Sequence, residues 1–137
     1  MKINFLLVGA LAGLTGVLLG AFGAHGLRES LSPAMLTIYK TGVDYQMWHA
    51  LALMGVALLL RYNPDEKSLI RAGWFFLLGI VFFSGSLYML ACFNMKWLGM
   101  VTPVGGVFFI VGWVLLALFS LKDKPIVSGY NEINESD

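Results

Sequence analysis

The sequence predicts an all-α integral membrane protein, a bundle of four transmembrane helices, and three observations carry that prediction. First, the 137-residue chain is 58% hydrophobic and only 12% charged. An ordinary soluble domain has about 25% charged and 45–50% apolar residues, so this surface has too little charge to face water. Second, four stretches, 3–24, 45–60, 72–95 and 97–121, contain no Lys, Arg, Asp or Glu, and a membrane crossing takes about 20 mostly apolar residues. Third, no stretch alternates apolar and polar residues as the strands of a membrane barrel do. Backbone groups in lipid must be satisfied within the segment, so the four stretches are helices.

The prolines mark where those helices begin and end. Ser32-Pro33, Asn63-Pro64 and Thr102-Pro103 each pair a good N-cap with proline at the first helical position. Asp65 and Glu66 would then sit at the positive end of a helix dipole, and Asn63 with Glu66 has capping-box spacing. Pro125 follows the last apolar run, where helices commonly stop. The expected helices lie near 3–25, 33–61, 64–93 and 103–122, in one transmembrane domain over 1–122. The polar, acidic tail 123–137 is expected to be mobile and cytoplasmic.

The first helix carries a glycine ladder. Gly9, Gly13, Gly16, Gly20 and Gly23 are spaced four, three, four and three, so they share one face, and Gly9–Gly13 and Gly16–Gly20 are GxxxG pairs. Lipid gives apolar helices no hydrophobic reason to associate, so small residues that let backbones approach are the usual packing device. Sequence does not say whether the partner is another helix of this chain or a second copy. Lys2 before an apolar run resembles a signal peptide, but the run is too long for an ordinary cleaved segment.

The second helix is short of apolar residues unless it borrows from 33–44. There Thr37, Lys40, Thr41 and Asp44 recur at helical spacing, with Met35, Leu36, Ile38, Tyr39 and Val43 on the other faces. Such amphipathic turns suit the membrane interface, and Gly42 is a candidate bend. Lys2, Arg61, Lys67, Arg71, Lys122 and Lys124 fall on one side, Arg28, Lys40 and Lys96 on the other. The positive-inside rule then places both termini in the cytoplasm.

Polar residues within the spans are few and gather in the half away from the termini. The candidate cluster is His25, Asp44, Tyr45, Gln46, His49, Ser84, Ser86, Tyr88 and Thr102. Ionisable residues at membrane depth are costly and point to function by default, with His49, Tyr45 at i−4 and Gln46 at i−3 the sharpest group. The plainer alternative is a neutral His49 hydrogen-bonded across helices. Haem between His25 and His49, or zinc on His25, His49, Cys92 and Asp44, lacks any supporting spacing, so no cofactor and no metal are expected. The single Cys92 excludes an intrachain disulfide. A net charge of +1 gives no bias toward nucleic acid, and no nucleophile elbow, Walker loop or HExxH motif is present.

Several segments together resemble a known family. Gly20-Ala21-Phe22-Gly23-Ala24-His25-Gly26-Leu27, Tyr39-Lys40-Thr41-Gly42-Val43-Asp44-Tyr45-Gln46 with His49-Ala50-Leu51-Ala52, Phe83-Ser84-Gly85-Ser86-Leu87-Tyr88, and Thr102-Pro103-Val104-Gly105-Gly106 look like the YgdD/YwdK-type small bacterial inner-membrane proteins. The resemblance covers nearly all of 3–121 and implies four transmembrane helices. It implies no activity, because that family is of unknown function. The expected function is that of a non-enzymatic membrane component, packing through glycine faces and associating with lipid and with a second copy or a membrane-protein partner. The alternative is a small proton or solute carrier using the polar cluster.

Overall fold

The computed structural model describes residues 3–122 and is helical throughout. Lys2, Lys124, Pro125 and the tail 123–137 lie outside the described residues. Four spans are long and apolar enough to cross a membrane. The first is α1, Phe5–His25. The second is α2, Pro33–Tyr62. The third is α3, Lys67–Gly79, continued by a π-helical turn, Ile80–Ser84, and α4, Gly85–Phe93. A short 3₁₀ turn, Lys96–Met100, leads into the fourth span, α5, Thr102–Lys122.

The caps follow local chemistry, with two corrections. The Ser32 hydroxyl accepts from the Met35 N–H, with Pro33 at the first helical position, as its sequence predicts. Asn63, expected to open the third helix, instead closes the second: its N–H and its side-chain amide both donate to Leu59 O. The N-cap of α3 is Glu66, whose carboxylate accepts from the Ser68 hydroxyl and from its N–H at 3.2 Å. The helix therefore starts at Lys67 rather than 64, and no capping box forms, because the tight turn at 63–66 is shared by two helices. Thr102, expected as an N-cap, is itself the first residue of α5, and its hydroxyl turns back to Leu98 O. Asn94 ends α4 in the left-handed region, φ 53°, which Asn tolerates better than most residues.

The register of the bundle is written in its glycines. A Cβ on Gly9 would meet Met54 and Ala50 O, on Gly16 Met47, and on Gly23 the Tyr39 ring. As α1 is climbed in steps of seven, α2 is descended by nearly the same, so the two are antiparallel neighbours. The partner of the ladder is thus a helix of this chain. Gly9, Gly16 and Gly23 are its buried members. A Cβ on Gly20 would touch Val43 at 3.3 Å, and one on Gly13 would meet nothing within 4 Å. Gly42 does not bend α2, which is one continuous helix; it makes room for the Tyr88 ring.

The second pair is α3–α4 against α5. Gly79 receives Phe109, Gly105 receives Phe83, and Gly112 receives Phe76, again an antiparallel register. The core near the chain termini is wholly apolar: Phe5, Leu53, Val56, Leu69, Ala72 and Phe76 are buried there, with Phe109 and Phe119 of α5. The buried polar groups begin at mid-depth, where His49 stacks on Phe109 and Gln46 meets Ala12 and Thr15, and continue toward the opposite end with Ser84 and Ser86.

Candidate functional site: the interhelical polar belt

Three hydrogen-bonded knots lie inside the bundle, two at mid-depth, around Gln46 and His49, and one nearer the end away from the termini, around Ser86. The first ties three spans together. The Tyr88 hydroxyl donates to Gln46 Oε1 at 2.8 Å. Gln46 Nε2 donates to Ala12 O at 2.8 Å and Thr15 Oγ1 at 2.9 Å. A carbonyl accepts and never donates, so Ala12 O fixes which end of the amide faces α1. Thr15 passes its own proton back to Leu11 O and Ala12 O. Beside this knot the Tyr39 hydroxyl donates to Leu19 O at 2.9 Å, and the Tyr39 and Tyr88 rings lie 5.1 Å apart.

The second knot is His49. Its Nδ1 lies 2.7 Å from Tyr45 O, and the Trp113 indole N–H donates to Nε2 at 3.1 Å. A carbonyl needs a donor and an indole N–H needs an acceptor, so these contacts define the neutral imidazole with its proton on Nδ1. The ring stacks on Phe109 with centroids 3.4 Å apart. Tyr45 contributes its carbonyl and its ring, which stacks on Phe83 at 4.4 Å.

In the third knot Ser86 Oγ lies 2.8 Å from both Phe83 O and Thr102 Oγ1, joining α4 to the start of α5. Ser84, at the end of the π-helical turn, is fully buried, and its hydroxyl has no protein partner.

Of the residues singled out from sequence, Gln46 and Tyr88 meet in one knot, Tyr45 and His49 in another, and Ser86 and Thr102 in a third. Ser84 stands by itself. His25 and Asp44 are exposed and join none of them. Gly23, two residues from His25, faces Tyr39, and His49 lies ten residues further along α2, on the order of 15 Å of helix rise. The two histidines are therefore not neighbours. Sequence reasoning missed Thr15, Tyr39 and Trp113. Thr15 left a signal, being the sole polar side chain in the interior of α1. Among the described residues no three of His, Cys, Asp and Glu converge.

An all-helical bundle with four membrane-capable spans and a neutral polar belt defines a small polytopic membrane protein. Its sequence says which one. Residues 19–106 match the family described as a protein of unknown function, DUF423, and the chain belongs to that family. It is 44% identical to the UPF0382 membrane protein YwdK of Bacillus subtilis over 122 residues, covering 89% of this chain and 98% of that one. A UPF0382 membrane protein of Staphylococcus epidermidis matches at the same identity and coverage. One from Haemophilus influenzae is 41% identical over 126 residues, 92% of this chain and all of its own. No solved structure matches. The resemblance read from the sequence motifs is thus correct, and the protein is an integral membrane protein whose family has no known biochemical activity.

Proposed function

We propose that this protein is a non-enzymatic structural component of the bacterial cell membrane, with both termini on the cytoplasmic side. The observation that carries this reading is that, among the described residues, three of the four buried polar side chains already have partners within the bundle, Ser84 being the exception. The buried side chains of Gln46, His49 and Ser86 are each committed to neutral hydrogen bonds between or within helices. A carrier needs polar groups that exchange partners with its cargo, whereas these hold helices together. Orientation is supported by Arg61, Lys67, Arg71 and Lys122 at one end, against Arg28, Lys40 and Lys96 at the other. Because α2 fills the glycine face of α1, association with a second copy or another membrane protein would use the lipid-facing surfaces instead.

Two measurements test this. A reporter fused after Lys124 is expected to stay cytoplasmic and one inserted at Glu29 to be exported; the reverse pattern overturns the orientation. Purified protein in liposomes is expected to pass neither protons nor small solutes. A flux that His49→Ala abolishes without loss of folding would replace this reading with a carrier.

A further inference from the structure

We propose that the π-helical turn Ile80–Ser84 is a register switch: its extra residue can pass into the following turn, rewinding 80–84 as α-helix and releasing Ser86 and Tyr88 from their partners. The turn is closed by the Gly85 N–H donating to Ile80 O, five residues back. In an α-helix the bond to that carbonyl comes from the residue four further on, here Ser84. The span Lys67–Phe93 therefore holds one residue more than regular winding uses between its two α-helical parts. Such turns are rare, occur mostly as single insertions within α-helices and are frequent at functional sites.

Ser84 carries the cost of the present winding. It is completely buried, and its hydroxyl has no protein partner. The hydroxyls of Thr15, Thr37, Thr41, Ser86 and Thr102 each donate to a carbonyl three or four residues back. Ser84 has no such bond, because the wider turn sets Gly85 over Ile80 O in its place. A hydroxyl in a dry interior is costly to leave unpaired. Rewinding as α-helix returns Ser84 to the position above Ile80 O, where serine back-bonding is ordinary.

What holds the present winding lies just beyond the turn. Ser86 Oγ is tied to Thr102, and the Tyr88 hydroxyl to Gln46. Both residues belong to the turn that the extra residue would enter. The two windings thus exchange one set of hydrogen bonds for another: Ser84 unpaired with Ser86 and Tyr88 tied, or Ser84 paired with those two released. Val81 and Phe82 are 57% and 39% exposed, so they turn in lipid without disturbing the core. α3 and the end of α4 keep their facing, because the residue count between them is unchanged. The consequence is local. Gln46 loses its link to the third span while its bonds to Ala12 O and Thr15 keep α1 and α2 together.

Nitrogen-15 relaxation dispersion reads motion on the microsecond-to-millisecond scale of helix register shifts, and tests this on the full-length protein in detergent micelles. Exchange is expected at the amides of 85–88 and not at those of 105–109 in α5. Ser84→Ala removes what the rewound state gains and should lower its population severalfold. Tyr88→Phe removes a tie on the present state and should raise that population severalfold. A turn that merely frays would respond to Tyr88→Phe alone. Deletion of Val81 takes out the extra residue; it is expected to abolish the exchange and to melt no lower than the wild type. Deletion of Val107, another lipid-facing residue at 55% exposed, is the control. α5 is regular α-helix, so every later residue would be misrotated by about 100°, and folded protein should be lost. A wild type without exchange at 85–88 overturns the proposal. So does exchange that Ser84→Ala leaves unchanged, or a Val81 deletion as damaging as that of Val107.

Discussion

The two antiparallel helix pairs of this bundle both close over glycine but differ in which helix carries it and in whether polar contacts join them. In the α1–α2 pair every contact glycine of the ladder sits on α1, and the filler is flexible at Gly16, the thioether of Met47, but at Gly9 Met54 is joined by the backbone oxygen of Ala50 and at Gly23 the filler is the Tyr39 ring. Hydrogen bonds then stitch the pair, from Gln46 to Ala12 O and Thr15 and from Tyr39 to Leu19 O. In the α3–α4 and α5 pair the glycines alternate between the helices, and the fillers are the rings of Phe109 and Phe76 and the backbone of Phe83. Methionine adapts to irregular gaps, while a phenyl ring either fits or does not. The first pair is held by direction-specific polar contacts across a surface that is forgiving at Gly16, the second by shape alone.

That contrast can be broken most sharply at Gly105. A Cβ there would lie 2.3 Å from the Phe83 backbone nitrogen and 2.7 Å from its Cα, and backbone cannot rotate away. Gly105→Ala is expected to destabilise at or beyond the upper end of the roughly 1–3 kcal/mol typical of overpacking, seen as a loss of monodisperse protein in detergent. Gln46→Leu comes next. It leaves the Tyr88 hydroxyl without its acceptor and removes both links to α1, at a cost of about 1–3 kcal/mol for a buried polar group left unpaired. Thermal melts of Gln46→Leu and of the double variant with Tyr88→Phe check this, because removing both partners should recover part of the loss.

A smaller effect is expected at Gly16→Ala. The nearest atom to its Cβ is Met47 Sδ at 2.6 Å, the far part of a flexible side chain, so a cost below about 1 kcal/mol is expected once the gain in helix propensity is included. If Gly16→Ala proves as damaging as Gly105→Ala, the distinction between forgiving and rigid pairs is wrong.

The smallest effect lies outside both pairs, at the α3 cap. The Ser68 hydroxyl, and then its N–H, hold the Glu66 carboxylate below its unperturbed value of about 4.5. A folded-state value below the unfolded one means the cap stabilises fully above the unfolded value and is lost as pH falls through the lower folded value. Melting temperature should therefore drop at acid pH in the wild type, and Glu66→Gln should flatten that part of the profile.

Much of this architecture was legible in advance because it reflects how residues partition between lipid and water. The four spans and their approximate ends follow from where charge is absent, whereas the polar residues expected in one half begin at mid-depth, with Gln46 on Ala12 and Thr15 and His49 on Trp113. The misreadings occur where two elements compete for one residue. Asn63 has the spacing of a helix opener, yet the four-residue turn gives it to the preceding helix. The π-helical turn at Ile80–Ser84 left no mark, since Ile, Val and Phe suit either helical form. His25 and Asp44 looked like members of the polar cluster because they share its side of the membrane, but depth and facing separate them from it.

Composition and charge placement alone determined that this chain is a four-span membrane helix bundle, because solvation acts on each segment separately. Which faces meet was decided by the tertiary structure. Gly9, Gly16, Gly20 and Gly23 of the ladder face α2 while Gly13 faces open space, His49 takes its proton on Nδ1 because Trp113 reaches it, and Gly85 fronts open space instead of a neighbour. Those outcomes depend on rotation about helix axes and on register between distant segments, and a linear spacing does not contain either.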